Sequence, residues 1–61
     1  MPIATIEGRK IEDVNVKRAL VKEVTDALEK AYELPREAYV VLIKENAPDN
    51  LAVAGDLLID R

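Results

Sequence analysis

Residues 38–43, AYVVLI, carry large or β-branched apolar side chains at both odd and even positions, so a strand built from them has no face suited to water. A strand buried on both faces belongs in a parallel pairing, and a parallel partner requires a crossover connection, usually a helix. The preceding segment supplies one. From Val16, the residues Leu20, Val24, Ala27, Leu28 and Ala31 recur at three- and four-residue steps and predict a helix with one apolar stripe. Asp13 and Asn15 are both candidate caps for its start, because either side chain can accept from the open N–H groups of a first turn. Pro35 predicts its end near Tyr32 to Leu34, since proline offers no donor and restrains the residue before it. Lys22 with Asp26, and Asp26 with Lys30, have the spacing of i,i+4 ion pairs on the helix surface.

Upstream of the helix, PIATIE at 2–7 predicts a first strand that Gly8 terminates. The expected fold class is therefore α/β: a single right-handed βαβ unit with two parallel strands. After the turn-forming stretch NAPDN at 46–50 comes LAVAGDLLI at 51–59, which is apolar, short and interrupted by Gly55. It predicts a small hairpin, a final helical turn, or an arm laid on a neighbour. No repeat, low-complexity run or linker divides the chain, so residues 1–61 are expected to form one domain.

One helix covers one face of a two-stranded sheet and leaves the other face and both edges open. A domain of 61 residues usually needs a disulfide, a metal or self-association for a secure margin. There is no cysteine and no histidine, which excludes disulfides and ordinary nitrogen or sulfur metal sites. A homo-oligomer is the expected remedy. AYVVLI is too short to span a bilayer and no signal-peptide pattern precedes it, so no membrane association and a cytoplasmic location are expected. The formal net charge is -3, and the pairs Arg9-Lys10 and Lys17-Arg18 are too small to make a basic face, which argues against a nucleic-acid partner. A locally basic pocket for a small anionic substrate remains compatible with that charge.

Chemistry has few candidates. Cysteine, histidine and serine are all absent, so thiol catalysis, a histidine base and a serine triad are excluded. The distinctive residue is Pro2. Removal of Met1 would make it a free secondary amine at the head of the first strand, a rigid base whose pKa an apolar pocket or nearby cations would lower toward neutrality. Arg9 and Lys10, just past that strand, could supply the cationic influence and hold an anionic substrate.

The N-terminal proline and the strand–helix–strand order are carried by PIATIE, EGR at 7–9, LVKEVTDALEKAYELP at 20–35, VVLIKE at 40–45 and LAVAGDLL at 51–58. Together they resemble the 4-oxalocrotonate tautomerase family over nearly the whole chain. The resemblance implies removal of the initiator methionine and a proline that moves a proton between carbons of a 2-hydroxydienoate or 2-keto acid; no metal or organic cofactor is expected, since a cationic side chain can stabilise an oxyanion electrostatically. It also implies a hexamer built as a trimer of dimers. Residue by residue, Pro2 takes the place of the catalytic proline. Arg9 matches the arginine after the first strand when the strand end is shortened; without gaps, that place falls on Glu12. Val40 stands where the family has a second, carboxylate-binding arginine contributed by a neighbouring subunit, with Arg36 or Lys44 as candidate replacements for its charge. Leu51 stands at an aromatic position that walls the pocket. The expected site is thus catalytic Pro2 and Arg9 with Lys10, Arg36, Val40 and Leu51 against the substrate. The alternative is an inactive structural or binding module of the same fold.

Overall fold

A computed structural model describes Met1–Arg61. Strand β1 (Ile3–Gly8) and strand β2 (Val40–Glu45) form a parallel pair, joined by helix α1 (Val14–Tyr32). Ile3 lies opposite Val40 and the register runs to Gly8 opposite Glu45. Backbone bonds extend the ladder at both ends: the Val40 N–H donates to the Pro2 carbonyl at 3.1 Å, and the Asn46 N–H to the Gly8 carbonyl at 2.8 Å. Of the two candidate helix caps, Asp13 does the work, its carboxylate accepting from the Asn15 N–H. The far end closes with Glu33 in the left-handed region at φ 54°, its N–H donating to the Glu29 carbonyl.

The second strand begins two residues later than its apolar run predicts. Arg36–Ala38 instead form a 3₁₀ turn after Pro35, with the Ala38 N–H donating to the Pro35 carbonyl. The Tyr39 hydroxyl fixes this corner by accepting from the Leu34 N–H at 2.9 Å and donating to the Leu34 carbonyl at 3.0 Å. Lys44 and Glu45 then complete the ladder opposite Glu7 and Gly8. The helix stripe also differs from the expected one. Lys17, Leu20, Val21, Val24, Thr25, Asp26, Leu28 and Glu29 are half-buried, whereas Val16, Ala27 and Ala31 are exposed. Leu20, Val24 and Leu28 gain more than alanine by facing the sheet, the stem of Lys17 can cover apolar surface while its ammonium stays polar, and Asp26 and Glu29 are covered in part by Arg36.

Strand alternation divides the sheet into two faces. Ala4, Ile6, Val41, Ile43 and Glu45 lie on the half-buried face beneath α1, and Ile3, Thr5, Glu7, Val40, Leu42 and Lys44 on the other. The second face has no cover: Ile3 is 58% exposed and Leu42 47%. The tail forms a hairpin, with β3 (Ala52–Val53) antiparallel to β4 (Asp56–Leu57). Its two connecting residues, Ala54 and Gly55, have φ of 53° and 87°, the double positive value of a type I′ turn. A last 3₁₀ turn, Leu58–Asp60, follows, and the Leu58 N–H returns to the Leu51 carbonyl.

A single chain holds these elements in an open arrangement measuring 45 × 24 × 13 Å. Its radius of gyration is 14.9 Å, against about 10.5 Å for a compact domain of this length. Its accessible surface is 4888 Å², against about 4,000 Å² from the scaling for folded monomers of its mass. No residue is buried. No helix is long and apolar enough to cross a membrane.

Candidate active site

The first candidate, Pro2, is held at the entry to β1. Its carbonyl accepts from Val40 across the sheet, which ties the backbone at the N-terminal end to the start of β2. Pro2 is half-buried, whereas Met1 is 81% exposed. Val40 therefore lies beside Pro2 within one chain and brings an apolar side chain to that end of the sheet.

Arg9 and Lys10 lie at the opposite end of β1. Pro2 and Arg9 are seven positions apart, about 23 Å at the rise of an extended strand. One chain does not bring these two candidates to the same small substrate. What Arg9 and Lys10 do line is an open cleft of ≈ 640 Å³, with Ile11, Glu12, Asp13, Val16 and Pro48 as the other walls. Arg9 has no ion-pair partner within its chain, and Lys10 stands 3.9 Å from Glu12, with both side chains largely in solvent.

The floor of this loop is tied down from β2. One Glu45 oxygen accepts from the Ile11 N–H at 2.8 Å and the other from the Lys17 ammonium at 2.9 Å. The Ile11 N–H first, and then Lys17, hold the Glu45 carboxyl below its ordinary pKa, because both favour the charged form. Sequence reasoning did not single out Glu45. Its signal was parity: it shares the helix-covered face with Val41 and Ile43, where an unpaired carboxylate would be costly.

Arg36 is turned toward the helix. Its guanidinium lies 2.8 Å from Asp26 and 3.1 Å from Glu29, and it occupies the partner that helix spacing also offered to Lys30. Lys22 keeps its expected contact with Asp26 at 3.2 Å, and hydrogen bonds from Lys22 and then Arg36 lower the Asp26 pKa. Leu51 is half-buried at the entrance to the tail hairpin, outside the cleft lining.

Residues 2–61 match the family described as Tautomerase enzyme, a match that begins at Pro2 and runs to the last residue. The chain belongs to the tautomerase family. A probable tautomerase of Staphylococcus aureus is 43% identical to it over 58 residues, covering 90% of each chain. The 2-hydroxymuconate tautomerase of Bacillus subtilis is 41% identical over 63 residues, covering 98% of this chain and 97% of its own. Among solved structures, YwhB, a homologue of 4-oxalocrotonate tautomerase, superposes with a TM-score of 0.88 at 35% identity, covering 98% of both chains. In this tautomerase-family chain the parallel βαβ unit and terminal hairpin are thus the family fold. The two ends of β1 carry its two separate groups of candidate residues.

Proposed function

We propose that this tautomerase-family protein is a cofactor-independent isomerase that uses Pro2 as its base. Removal of the exposed Met1 frees the Pro2 amine. That amine, unprotonated near neutral pH, takes a proton from the enol oxygen or a carbon of a small 2-hydroxydienoate or 2-keto acid and returns it at another carbon. The observation that carries the reading is the coincidence at one residue: the family match starts at Pro2, and Pro2 is the residue that the β1–β2 ladder anchors at its open end. The likeness to a 2-hydroxymuconate tautomerase supports the substrate class.

Arg9, with Lys10 beside it, steadies the negative charge that develops on the substrate oxygen as the proton leaves. A cation aimed at a developing oxyanion can lower the barrier without metal assistance. Because one chain separates Pro2 from Arg9 by the length of β1, the complete site draws these residues from two copies. The open form of the single chain supports the same requirement. Its surplus over a folded monomer, about 900 Å² by the mass scaling, resembles the roughly 800 Å² that each partner contributes to a standard interface. A homo-oligomer, with a hexamer as the family form, closes both the fold and the site.

The intact mass of the purified protein, read together with ketonisation of 2-hydroxymuconate, tests this reading. The expected result is a chain without Met1 that accelerates the reaction and a Met1-retaining form that does not. Equal activity in both forms would remove Pro2 from the chemistry.

A further inference from the structure

Arg9 and Lys10 form a two-residue span pinned at each end to the close of β2, at Glu45 and the residue after it. On one side, the Gly8 carbonyl accepts from the Asn46 N–H at 2.8 Å. On the other, the Ile11 N–H donates to the Glu45 carboxylate at 2.8 Å. The first pin is backbone to backbone and continues the strand ladder. The second depends on one side chain. That side chain is in turn oriented by Lys17 of α1, whose ammonium meets the other carboxylate oxygen, and both side chains are mostly covered at 23% and 30% exposure.

We infer that Glu45 is the positioning residue for Arg9: by holding the Ile11 N–H, it fixes the loop that presents the guanidinium to the cleft. The inference rests on the role proposed above for Arg9. Lys17 has two effects in this arrangement. It fixes the carboxylate rotamer, and it neutralises a negative charge that would otherwise compete with the substrate for Arg9. Glu45 touches no reacting atom. Its influence passes through the loop backbone, and Arg9 is the group whose placement it controls.

A double-mutant cycle on kcat/KM for 2-hydroxymuconate tests this, using the assembled protein without Met1. Loss of Arg9's contact in Arg9→Ala is expected to lower kcat/KM about 10²-fold. Glu45→Ala, which leaves Arg9 present but poorly placed, is expected to lower it about 10-fold. In the Arg9→Ala background, adding Glu45→Ala should change little, within about 3-fold, because residues acting through one group are not additive. Glu45→Gln should recover part of the loss, since its side-chain carbonyl can still accept from Ile11 although its amide N–H groups cannot accept from Lys17. If Glu45→Ala does not fold, Glu45→Asp, one methylene too short to hold both partners, takes its place in the cycle. A full, additive loss in the double variant overturns the inference while leaving the role of Arg9 standing, because general loosening of the fold would lower activity in either background. An Arg9→Ala variant equal to the parent overturns both.

Discussion

Placing a charge on the uncovered sheet face should break the assembly without breaking the chain's local structure. Leu42 is the suitable position: it is central in β2, on the face away from α1, and 47% exposed in a single chain. In an isolated chain, Leu42→Lys sets an ammonium on an accessible surface, where substitutions usually change stability by within about 0.5 kcal/mol. If that face is covered by another copy, the ammonium must instead be desolvated, at an effective cost of several kcal/mol per ion. In a symmetric oligomer every copy carries that charge, so the penalty recurs at each subunit. A loss of about 4 kcal/mol in an association step raises its dissociation constant roughly 10³-fold. Sedimentation velocity at micromolar concentration reads the result directly: the parent should sediment as an oligomer and Leu42→Lys as smaller species, with ketonisation lost in step. A variant that keeps the parent's sedimentation coefficient and thermal midpoint would refute the claim that this face is an interface.

Two further outcomes follow from the hydrogen-bonded corners. Tyr39→Phe removes both bonds to the Leu34 backbone and should destabilise the helix-to-strand corner by about 1 kcal/mol, visible as a lower midpoint in urea. Glu45 is held below its ordinary pKa, so its contribution to stability is complete above the usual glutamate value of about 4.3 and is lost as pH falls through the folded value. The stability gap between the parent and Glu45→Gln should therefore narrow as pH is lowered from about 5 into that range, as followed by thermal unfolding; a gap independent of pH would show that the carboxylate charge contributes nothing.

The βαβ order was legible because its signals are local. Apolar residues at both parities marked β2, helical spacing marked α1, and Asp13, Pro35 and Gly55 punctuated the chain. The later start of β2 was hidden because Ala38 and Tyr39 read equally well as strand, whereas the Tyr39 hydroxyl bonds the backbone five residues earlier. The rotated helix stripe turns on which side chains a narrow two-stranded sheet can cover, and spacing alone does not distinguish alanine from leucine in that choice. The tail admitted three forms in sequence. The positive φ values at Ala54 and Gly55 resolve it as a hairpin, a turn that glycine favours and alanine tolerates only with strain.

The candidate site was less legible than the fold. Pro2 stood out because its chemistry depends only on its place in the chain. Arg9 and Lys10 looked close to it in sequence, but a strand converts that closeness into a separation of about 23 Å. Arg36, attractive as a replacement cation, is committed to Asp26 and Glu29 by a turn that brings it back against the helix. Glu45 stayed hidden because its partners, Ile11 and Lys17, lie about thirty residues away and meet it only when β2 and α1 pack.

The proline base is tested most directly by the pH dependence of 2-hydroxymuconate ketonisation for the protein without Met1 and for its Pro2→Ala variant. Pro2→Ala keeps a terminal amine but changes its basicity and rigidity. The expected result is a parent rate that rises with pH through the titration of the Pro2 amine near neutrality, and a variant slowed at least about 10²-fold with its oligomeric state unchanged. A variant that matches the parent's rate and pH profile would contradict the account, leaving Pro2 as an ordinary first residue of a strand.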